Sequence, residues 1–521
     1  MPHGASPHAK EPQAEVLAAL AEPTLHGGHA VRRIDTHAAA VFLAGDRAIK
    51  IKRAVRFPFL DYSTLERRKA ACEAEIAVNR PLAPQIYRGV VAITREADGT
   101  LAIGGRGTPV EWAVEMRRFD DAMTLDKLAD RGSIDAALAD RLARAVAAAH
   151  RGAPRADAGA WIDALARFID QNDAAFRTEP ELFPAAEARR LTQASRDAWH
   201  RLQPLLRARG EAGFIRRLHG DLHLGNIALI DGEPVLFDAI EFDPLIAAGD
   251  VLYDLAFLLM DLIGRDLRFA ANIVLNRYLQ EDPDPRHLDA LAALPLFLSV
   301  RAAIRAKVTA ARIATAAAAD GAAIGAAAVA YFRLAQQVLS PPPPTVLAIG
   351  GLSGTGKSVL ARAIAPALGA APGAVVLRSD VERKHLFGVA ETAPLPAAAY
   401  RPEVGQQVYA ILAQKAGRAA AAGHAVVVDA VYARAEERAG IAAAAPGIAF
   451  HGLFLTADLD TRLARVTGRT GDASDADRAV VIQQSHYDLS SLDWPVIDAS
   501  GTPAETLALA QAALSDDDGA I

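Results

Sequence analysis

The segment GLSGTGKS at residues 351–358 constrains the fold of this chain most, because it matches the pattern G-x-x-x-x-G-K-[ST] at every fixed position. It follows an apolar run, TVLAIG, and precedes a helical pattern, VLARAIAPALG. A strand, a glycine-rich loop and a helix in that order wrap backbone N–H groups around phosphate oxygens and direct the positive end of the helix at them. We therefore expect an α/β domain that binds a nucleoside triphosphate.

The residue types inside this loop predict its cofactors. Lys357 is expected to neutralise phosphate charge, and the Ser358 hydroxyl is expected to hold Mg²⁺. Five further residues are predicted to line the nucleotide with the loop backbone: Gly351, Ser353, Gly354, Thr355 and Gly356. The expected cofactors are ATP and Mg²⁺.

A second phosphate-handling pattern lies upstream, in RRLHGDLHLGNIALIDGEPVLFDAIEFDP. His219, Asp221 and Asn226 form H-x-D-x-x-x-x-N, and Asp238 follows the apolar VLF. Such a loop holds one carboxylate against an attacking hydroxyl, while the Asn oxygen and a second carboxylate bind Mg²⁺. We therefore predict Asp221 as the catalytic acid–base residue, Asn226 and Asp238 as metal ligands, and His219 as a brace. A polar hairpin flanked by incidental acids is the alternative.

Gly220 and Gly225 give this loop the form found in aminoglycoside and choline phosphotransferases, which the region resembles. The resemblance implies a lysine on an N-terminal sheet and an acid on the helix facing it. Lys50 is expected to contact the phosphates and Glu75 to pair with it, with Lys52 and Glu73 as the alternatives. The segment WAVEMRRFD at 112–120 would contact adenine. The resemblance also matches Asp250 and Asp254, placed with Asp261 on one helix face, to acids that support the catalytic loop.

Hydrophobic periodicity predicts how the chain is divided. Short apolar alternations around a single helix predict a strand-rich lobe, helical periodicity follows it, and four consecutive prolines mark a spacer. Beyond them, strands alternate with helices as in a parallel sheet. The predicted fold class is thus mixed α/β and α+β: a bilobal, protein-kinase-like fold followed by a P-loop domain. The predicted boundaries are 1–11 (disordered N-terminus), 12–118 (N-terminal lobe), 119–338 (helical lobe), 339–345 (linker), 346–512 (P-loop domain) and 513–521 (acidic tail).

The downstream domain resembles gluconate-kinase-like and zeta-toxin-like P-loop kinases. The resemblance implies that Asp380, at the end of the strand AVVLRSD, is the catalytic base facing the acceptor hydroxyl; a helix-capping role is the alternative. Asp429 ends the apolar strand pattern HAVVVD, where a Walker-B acid binds Mg²⁺. Arg465 and Arg469 are predicted to stabilise the departing phosphoryl group, and Arg462 is expected to be solvated.

Composition excludes several other classes of protein. The 62 acids and 56 bases give a net charge of −6 without a concentrated basic stretch, which disfavours nucleic acid as the main partner. A single cysteine, Cys72, excludes an internal disulfide and fits a reducing cytoplasm. The alanine-rich segment 313–332 contains an aspartate and glycines, so we expect a packed helical hairpin there and no membrane partner.

Together these patterns resemble a bifunctional fusion of an aminoglycoside-phosphotransferase-like domain with a P-loop kinase. The resemblance implies a cytoplasmic, two-domain, ATP-dependent phosphotransferase acting on a hydroxyl of a small polar metabolite. Two alternatives remain open. One domain could be a nucleotide sensor that gates the other, or the chain could phosphorylate nucleic-acid ends, for which the acidic balance is unfavourable.

Overall fold

The computed structural model describes residues 12–57, 60–315, 320–469 and 471–518. By spatial contacts the chain divides into two compact units, Met1–Leu165 with Leu206–Leu258, and Ala166–Leu205 with Leu259–Ile521. They are called unit 1 and unit 2 below, and each is described by itself. The N-terminal segment predicted to be disordered, 1–11, lies outside the described residues. The predicted domain boundaries stay predictions.

Unit 1 is built around an antiparallel sheet of six strands in the order β1-β2-β3-β8-β6-β7. Its inward side chains alternate with outward ones along β2 and β3, which buries Phe42, Ile49 and Ile51 in one hydrophobic cluster. Its strands are β1 (Val31–Asp35), β2 (Ala39–Ala44), β3 (Arg47–Lys52), β4 (Arg56–Phe57), β5 (Leu60–Asp61), β6 (Tyr87–Arg95), β7 (Leu101–Ile103), β8 (Thr108–Arg117), β9 (Ile215–Arg217), β10 (Ile227–Ile230), β11 (Glu233–Leu236) and β12 (Ala248–Asp250).

Helix α2 packs on this sheet, against β6 and β8. It begins where the Thr64 hydroxyl accepts a hydrogen bond from the Arg67 backbone N–H, and α4 begins at a similar cap made by Asp135. Between residues 30 and 115, α2 is the one α-helix of the described residues, as the sequence predicts. The helices up to residue 264 are α1 (Pro12–Leu20), α2 (Leu65–Asn79), α3 (Leu125–Asp130), α4 (Ala136–Gly152), α5 (Ala158–Thr178), α6 (Ala185–Glu211) and α7 (Val251–Gly264).

Unit 2 contains a helical part, made in its later portion by α8 (Arg268–Glu281), α9 (Arg286–Asp289), α10 (Leu294–Ala311) and α11 (Gly321–Leu339). The predicted hairpin within 313–332 is wrong in its position: this segment holds a short turn and the start of α11, and α11 packs against α10 instead. Two stretches, Arg286–Ala314 and Gly321–Leu339, have the length and hydropathy of a membrane span, and the first is mostly buried inside the protein. A buried core helix passes the same test, so this is weak evidence for a membrane.

The rest of unit 2 is a parallel five-stranded sheet in the order β14-β15-β13-β16-β17, which confirms the predicted alternation of strands and helices. Its strands are β13 (Thr345–Gly351), β14 (Val375–Arg378), β15 (Val426–Asp429), β16 (Ala449–Thr456) and β17 (Val496–Asp498). Its helices are α12 (Lys357–Ile364), α13 (Ser379–Leu386), α14 (Pro402–Ala421), α15 (Ala435–Ala442), α16 (Leu459–Thr467), α17 (Arg478–Gln484) and α18 (Pro503–Asp518). The acidic tail predicted from residue 513 is helical as far as Asp518, and 519–521 lie outside the described residues.

Strand β14 is an edge of this sheet, and side chains of α8 cover its backbone. The Asn276 amide donates to the Ala374 carbonyl at 3.1 Å and accepts from the Val376 N–H at 2.6 Å. The Asn272 amide donates to the same carbonyl at 3.0 Å. Backbone groups of an exposed edge need partners, and these two buried amides supply them. The edge strand of the P-loop sheet is thereby tied to a helix that precedes the proline spacer in the chain.

Candidate active sites

The upstream loop brings the three predicted residues of its motif into one place in unit 1. The Asn226 side-chain nitrogen donates to the Asp221 backbone carbonyl at 2.9 Å and to the Asp221 carboxylate at 3.1 Å. Both hydrogen bonds use the amide nitrogen, so they do not occupy the amide oxygen of Asn226. Asp238 follows β11, and the carboxylate of Asp238 lies 2.7 Å from the Lys50 ammonium.

The backbone of this loop is held by a buried carboxylate. Asp254 accepts hydrogen bonds from the N–H of Gly220 at 2.9 Å and of His219 at 3.3 Å. Gly220 adopts φ +80°, and a Cβ there would lie 3.0 Å from the Ile246 carbonyl oxygen, so the position requires glycine. The predicted supporting role of Asp254 agrees with this geometry.

The predicted placement of Asp250 on the same helix face is wrong. Asp250 ends strand β12, one residue before α7 begins, and forms a buried bidentate pair with Arg209 at 2.5 and 2.8 Å. A three-residue strand is too short to be recognised from periodicity, and the apolar run after it extends the helical pattern backward.

His219 occupies the position of a brace. Its Nε2 atom lies 2.9 Å from the Phe237 carbonyl, which can only accept, so Nε2 carries the proton of a neutral ring. Burial lowers the pKa of His219, although the nearby Asp254 and Asp221 carboxylates oppose this shift. The side chain therefore links the loop that carries Asp221 to the segment that presents Asp238.

Two lysines of β3 converge on one buried carboxylate. Lys50 lies 2.8 Å from one oxygen of Glu75, and Lys52 lies 2.5 Å from the other. Lys52 also lies 2.5 Å from Glu241. Burial disfavours the charge of Lys50, but Asp238 and Glu75 more than compensate and raise its pKa. Glu73, the alternative acid, is 57% exposed and faces Lys69, so of the two acids the structure brings Glu75 to the lysines.

The position of Asp238 depends on two residues that the sequence analysis did not single out. Asp238 adopts φ +61°, which is unusual for a residue with a side chain. Its N–H donates to the Tyr87 hydroxyl at 3.1 Å, and the next residue, Ala239, exchanges two hydrogen bonds with the buried Asn79 amide at 2.7 and 3.0 Å. The motif VNRPLAP contains this asparagine, but its partner lies 160 residues away and is not visible in the sequence.

The residues of this first site fit a magnesium ion. Asn226 and Asp238 offer hard oxygen ligands, and the Lys50 ammonium lowers the pKa of Asp238, keeping it a carboxylate. Lys50 would hold nucleotide phosphates in such a site, and Asp221 would face the acceptor. The segment 112–120 ends β8 and includes Phe119, whose ring packs on Phe237 at 5.0 Å. Its contact with adenine stays a prediction.

In unit 2, the glycine-rich loop lies between β13 and α12. Gly354 adopts φ +84°, and a Cβ there would lie 2.6 Å from the Arg462 carbonyl oxygen. The Arg462 guanidinium donates to the Ser353 carbonyl at 2.9 Å, and the Gln484 side chain accepts from the Ser353 N–H at 2.7 Å. Arg462 is buried, so its predicted solvation is wrong: it supports the loop backbone.

Every predicted loop residue except Gly351 lines one cavity of about 890 Å³. The ammonium of Lys357 donates to the Leu352 carbonyl at 3.2 Å, which places it across the loop. Burial lowers the pKa of Lys357, while Asp429 and Asp380 oppose the shift. The other predicted side chains around this cavity are Asp380, Asp429, Arg465 and Arg469.

The predicted metal ligands of this second site are in direct contact. The Ser358 hydroxyl donates to the Asp429 carboxylate at 2.5 Å. A hydroxyl and a carboxylate beside a phosphate-binding loop are the oxygen ligands that magnesium uses in such domains, so the residues fit the ion. Arg378, which the sequence analysis did not assign, lies against both groups.

Asp380 lies in the first turn of α13, whose N-cap is Arg378, so the capping alternative for Asp380 does not hold. Burial raises the pKa of Asp380, and the neighbouring Asp429 raises it further. A carboxyl with a raised pKa is suited to accept a proton near neutral pH.

The two predicted arginines approach the cavity from the segment after β16. Arg465 donates to the carbonyls of Thr355 at 3.4 Å and Gly501 at 3.0 Å, and Arg469 donates to those of Ser474 and Ala476 at 3.0 and 2.9 Å. Backbone carbonyl oxygens therefore hold both guanidinium groups in place. Their predicted role toward phosphate stays a prediction.

Comparison with known protein families gives two matches. Residues 35–293 match the family described as "Phosphotransferase enzyme family", and residues 346–487 match the one described as "AAA domain". Proteins of Mycobacterium tuberculosis ("Uncharacterized protein Rv2004c") and Mycobacterium bovis ("Uncharacterized protein Mb2027c") are each 32% identical over 356 residues, covering 67% of this chain and 67% of the relative. The predicted mixed α/β fold class is confirmed.

Two of the solved structures with similarity to parts of the chain are the following. A gluconokinase from Sinorhizobium meliloti 1021 is 22% identical and covers 34% of this chain and 94% of its own, with a TM-score of 0.25. A choline/ethanolamine kinase family protein from Mesorhizobium loti is 16% identical and covers 63% of this chain and 94% of its own, with a TM-score of 0.34.

Proposed function

Because this chain belongs to the family that joins a phosphotransferase domain to a C-terminal AAA domain, and is a kinase, we propose that both of its domains bind ATP with Mg²⁺. We also propose that at least one domain phosphorylates a hydroxyl of a small polar metabolite, such as a sugar or amino sugar. Asn226 and Asp238 in unit 1, and Ser358 and Asp429 in unit 2, would hold the magnesium ion, which would supply positive charge to offset that of the phosphates. The side chains described above supply the remaining requirements. The compartment we propose is the cytoplasm.

One observation supports this proposal: each of the two units holds a lysine, a pair of oxygen-bearing side chains that would suit a metal ion, and an aspartate that would act as the base. In unit 1 these are Lys50, the pair Asn226 and Asp238, and Asp221. In unit 2 they are Lys357, the pair Ser358 and Asp429, and Asp380. Neither set is contiguous in sequence, and phosphoryl transfer needs all three functions at one place.

In unit 1, Lys50 would hold the phosphates while Asp221 orients the acceptor hydroxyl and takes its proton. The carboxylate of Asp221 is 39% exposed, so an acceptor can reach it. The buried Glu75 fixes the position of the Lys50 ammonium. Orientation and charge placement supply most of the catalysis in such reactions.

In unit 2, Asp380 would take the proton of the acceptor hydroxyl. A second cavity of about 780 Å³ adjoins the P-loop cavity, and the two share Arg383, Tyr400, Tyr409 and Tyr487 among their lining residues. Both volumes fall in the range that small-molecule sites occupy, roughly 300–1,000 Å³. We assign the first cavity to the nucleotide and the second to the acceptor, whose hydroxyl would meet the phosphoryl group near the shared residues.

The test uses full-length protein with one site disabled at a time. Asp221→Asn and Lys357→Met should each remove ATP turnover from one domain, and the double variant should remove all of it. Asp46→Asn and Lys127→Met, which alter side chains 79% and 57% exposed, serve as matched controls and should behave like the wild type. Unchanged turnover in the double variant would contradict the proposal.

The acceptor is sought by incubating wild-type protein, ATP and a cell metabolite extract, and then detecting species heavier by one phosphate by mass spectrometry. A phosphorylated small molecule that disappears in one single variant assigns the chemistry to that domain. ATP binding without turnover in one domain would instead support the alternative in which that domain is a nucleotide sensor that gates the other. Phosphorylation of oligonucleotide ends, with steeply salt-dependent binding, would instead support a nucleic-acid substrate.

A further inference from the structure

Arg378 is a buried cation at the predicted metal site of unit 2. It is the last residue of β14, and 7% of its surface is exposed. One terminal nitrogen donates to the Ser358 hydroxyl at 3.0 Å and to the Asp472 carboxylate at 3.0 Å. Its Nε atom lies 3.4 Å from the Asp429 carboxylate. The guanidinium therefore contacts both groups that fit a magnesium ion and one further acid.

The sheet itself places this side chain. Arg378 and Asp429 are paired in register at the carboxyl ends of the parallel strands β14 and β15, so their side chains emerge on the same face. The hydroxyl of Ser358 reaches the same point from the start of α12. Asp472 approaches from the segment between α16 and α17.

Charge balance explains why a cation is needed here. Burial opposes the charge of Arg378, but Asp429, Asp472 and Asp380 outweigh it and raise its pKa, so the guanidinium stays charged. Without it, Asp429, which is 5% exposed, would keep the hydrogen bond from the Ser358 hydroxyl but lose the contact with the guanidinium. Uncompensated buried charges are strongly destabilising.

We propose that Arg378 is the countercation of this metal site. It balances the charge of Asp429 and donates to Ser358 until a divalent ion arrives with the nucleotide. It then gives up these two contacts to the ion and is retained by Asp472. A divalent ion bound to Asp429 and Ser358 would lie close to the guanidinium, and the two positive charges would repel each other. Arg378 thus acts as a positioning residue that disfavours metal in the absence of phosphates. The inference rests on the proposed nucleotide site.

The test measures binding of Mn²⁺, a spectroscopic substitute for Mg²⁺, to the full-length protein without nucleotide. Arg378→Gln removes the competing charge and should bind Mn²⁺ at least tenfold more tightly than the wild type, as read from the free-ion signal in electron paramagnetic resonance. Arg378→Lys keeps a positive charge and is the matched control, with an affinity within about threefold of the wild type. An unchanged affinity in Arg378→Gln would overturn the inference.

A second measurement needs no variant and covers the case in which Arg378→Gln does not fold. A crystal structure of the wild type with Mg²⁺ and a non-hydrolysable ATP analogue should show the guanidinium still bonded to Asp472 but out of hydrogen-bond reach of Asp429. Retention of both contacts beside a bound ion would refute the displacement.

Failure of the inference and failure of the proposed function can be told apart. Wild-type protein should bind Mn²⁺ together with ATP, and Lys357→Met should weaken that binding. If no ATP-dependent Mn²⁺ binding occurs at this site, the proposed function of the domain fails. If it occurs while Arg378→Gln gains nothing without ATP, only the role of Arg378 fails.

Discussion

Replacing Glu75 by glutamine should damage the upstream site more than any other isosteric change on α2. The Glu75 carboxylate is fully buried and pairs with the ammonium groups of Lys50 at 2.8 Å and Lys52 at 2.5 Å. The amide keeps the shape but removes the charge, which leaves two buried cations short of a partner. Breaking a buried ion pair on one side costs about 3–5 kcal/mol. For a unit of this size we expect the Tm to fall by about 10 °C.

The same substitution should impair phosphoryl transfer in unit 1. Without Glu75, the Lys50 ammonium retains Asp238 as its acidic partner in this pair, so the lysine and Mg²⁺ would compete for that carboxylate. We expect a higher KM for Mg·ATP and a loss of about 100-fold in kcat/KM, or roughly 3 kcal/mol of transition-state stabilisation. The assay is steady-state kinetics in a Lys357→Met background, which isolates the upstream domain.

Glu73→Gln is the matched control, because Glu73 lies two residues earlier on the same helix and is the alternative partner by sequence. Its carboxylate is 57% exposed and 3.7 Å from Lys69. An exposed pair of this kind contributes about 0.3–0.5 kcal/mol, so Tm and kinetics should hardly change. Equal losses in both variants, or full activity in Glu75→Gln, would refute the assignment of the buried carboxylate as the lysine anchor.

Three further predictions concern a buried histidine, the buried aspartate that holds the upstream loop, and a glycine of the P-loop. Burial lowers the pKa of His424 to about 4, so the unfolded chain takes up a proton that the folded one rejects as the pH falls from 6.5 toward 4. Stability should drop by about 2 kcal/mol between pH 7 and pH 5 in urea unfolding, and His424→Asn should lose that part of the slope; an unaltered slope would contradict the burial argument. Asp254→Asn turns one of the two acceptor oxygens into a donor that faces one of the two backbone N–H groups, and it should cost about 1–3 kcal/mol by thermal unfolding, together with upstream activity. Gly354→Ala should abolish nucleotide binding in unit 2 by calorimetry, whereas Gly405→Ala, with open space at its Cβ, should bind normally; normal binding in both would argue against the tight loop.

Local motifs account for most of what the sequence predicts correctly. Ser358 and Asp429 could be assigned because a loop between a strand and a helix, and an acid ending an apolar strand, are visible within a few residues. Glu75 could be named because the segment EIAVNRPLAP, which it begins, resembles the phosphotransferase pattern. In each case the informative neighbours are close in the chain.

Residues whose roles depend on long-range pairing were missed or misplaced. In the sequence, Arg378 is simply a basic residue within LRSD. Its place opposite Asp429 follows from the register of β14 against β15, which the local sequence does not reveal. From the sequence, Arg462 is expected to be a solvated helix residue, but in the fold its guanidinium donates to the backbone of the glycine-rich loop. Periodicity alone assigns Asp250 to the helix that follows it. In the fold it lies in β12, whose partner strand is more than 30 residues earlier and cannot be found from the local sequence. Tertiary contacts override local periodicity at all three positions.

The amides of Asn272 and Asn276 on β14 bear on how this protein can be dissected. A fragment starting at the prolines would lack both amides. The edge strand that carries Arg378 would then expose backbone hydrogen-bonding groups that these amides cover in the full chain. Exposed strand edges pair with other chains, so we expect the isolated C-terminal portion to self-associate. A low activity measured on this fragment would then reflect aggregation and not the chemistry of the site. The cleaner way to silence either half is a point substitution in the intact polypeptide.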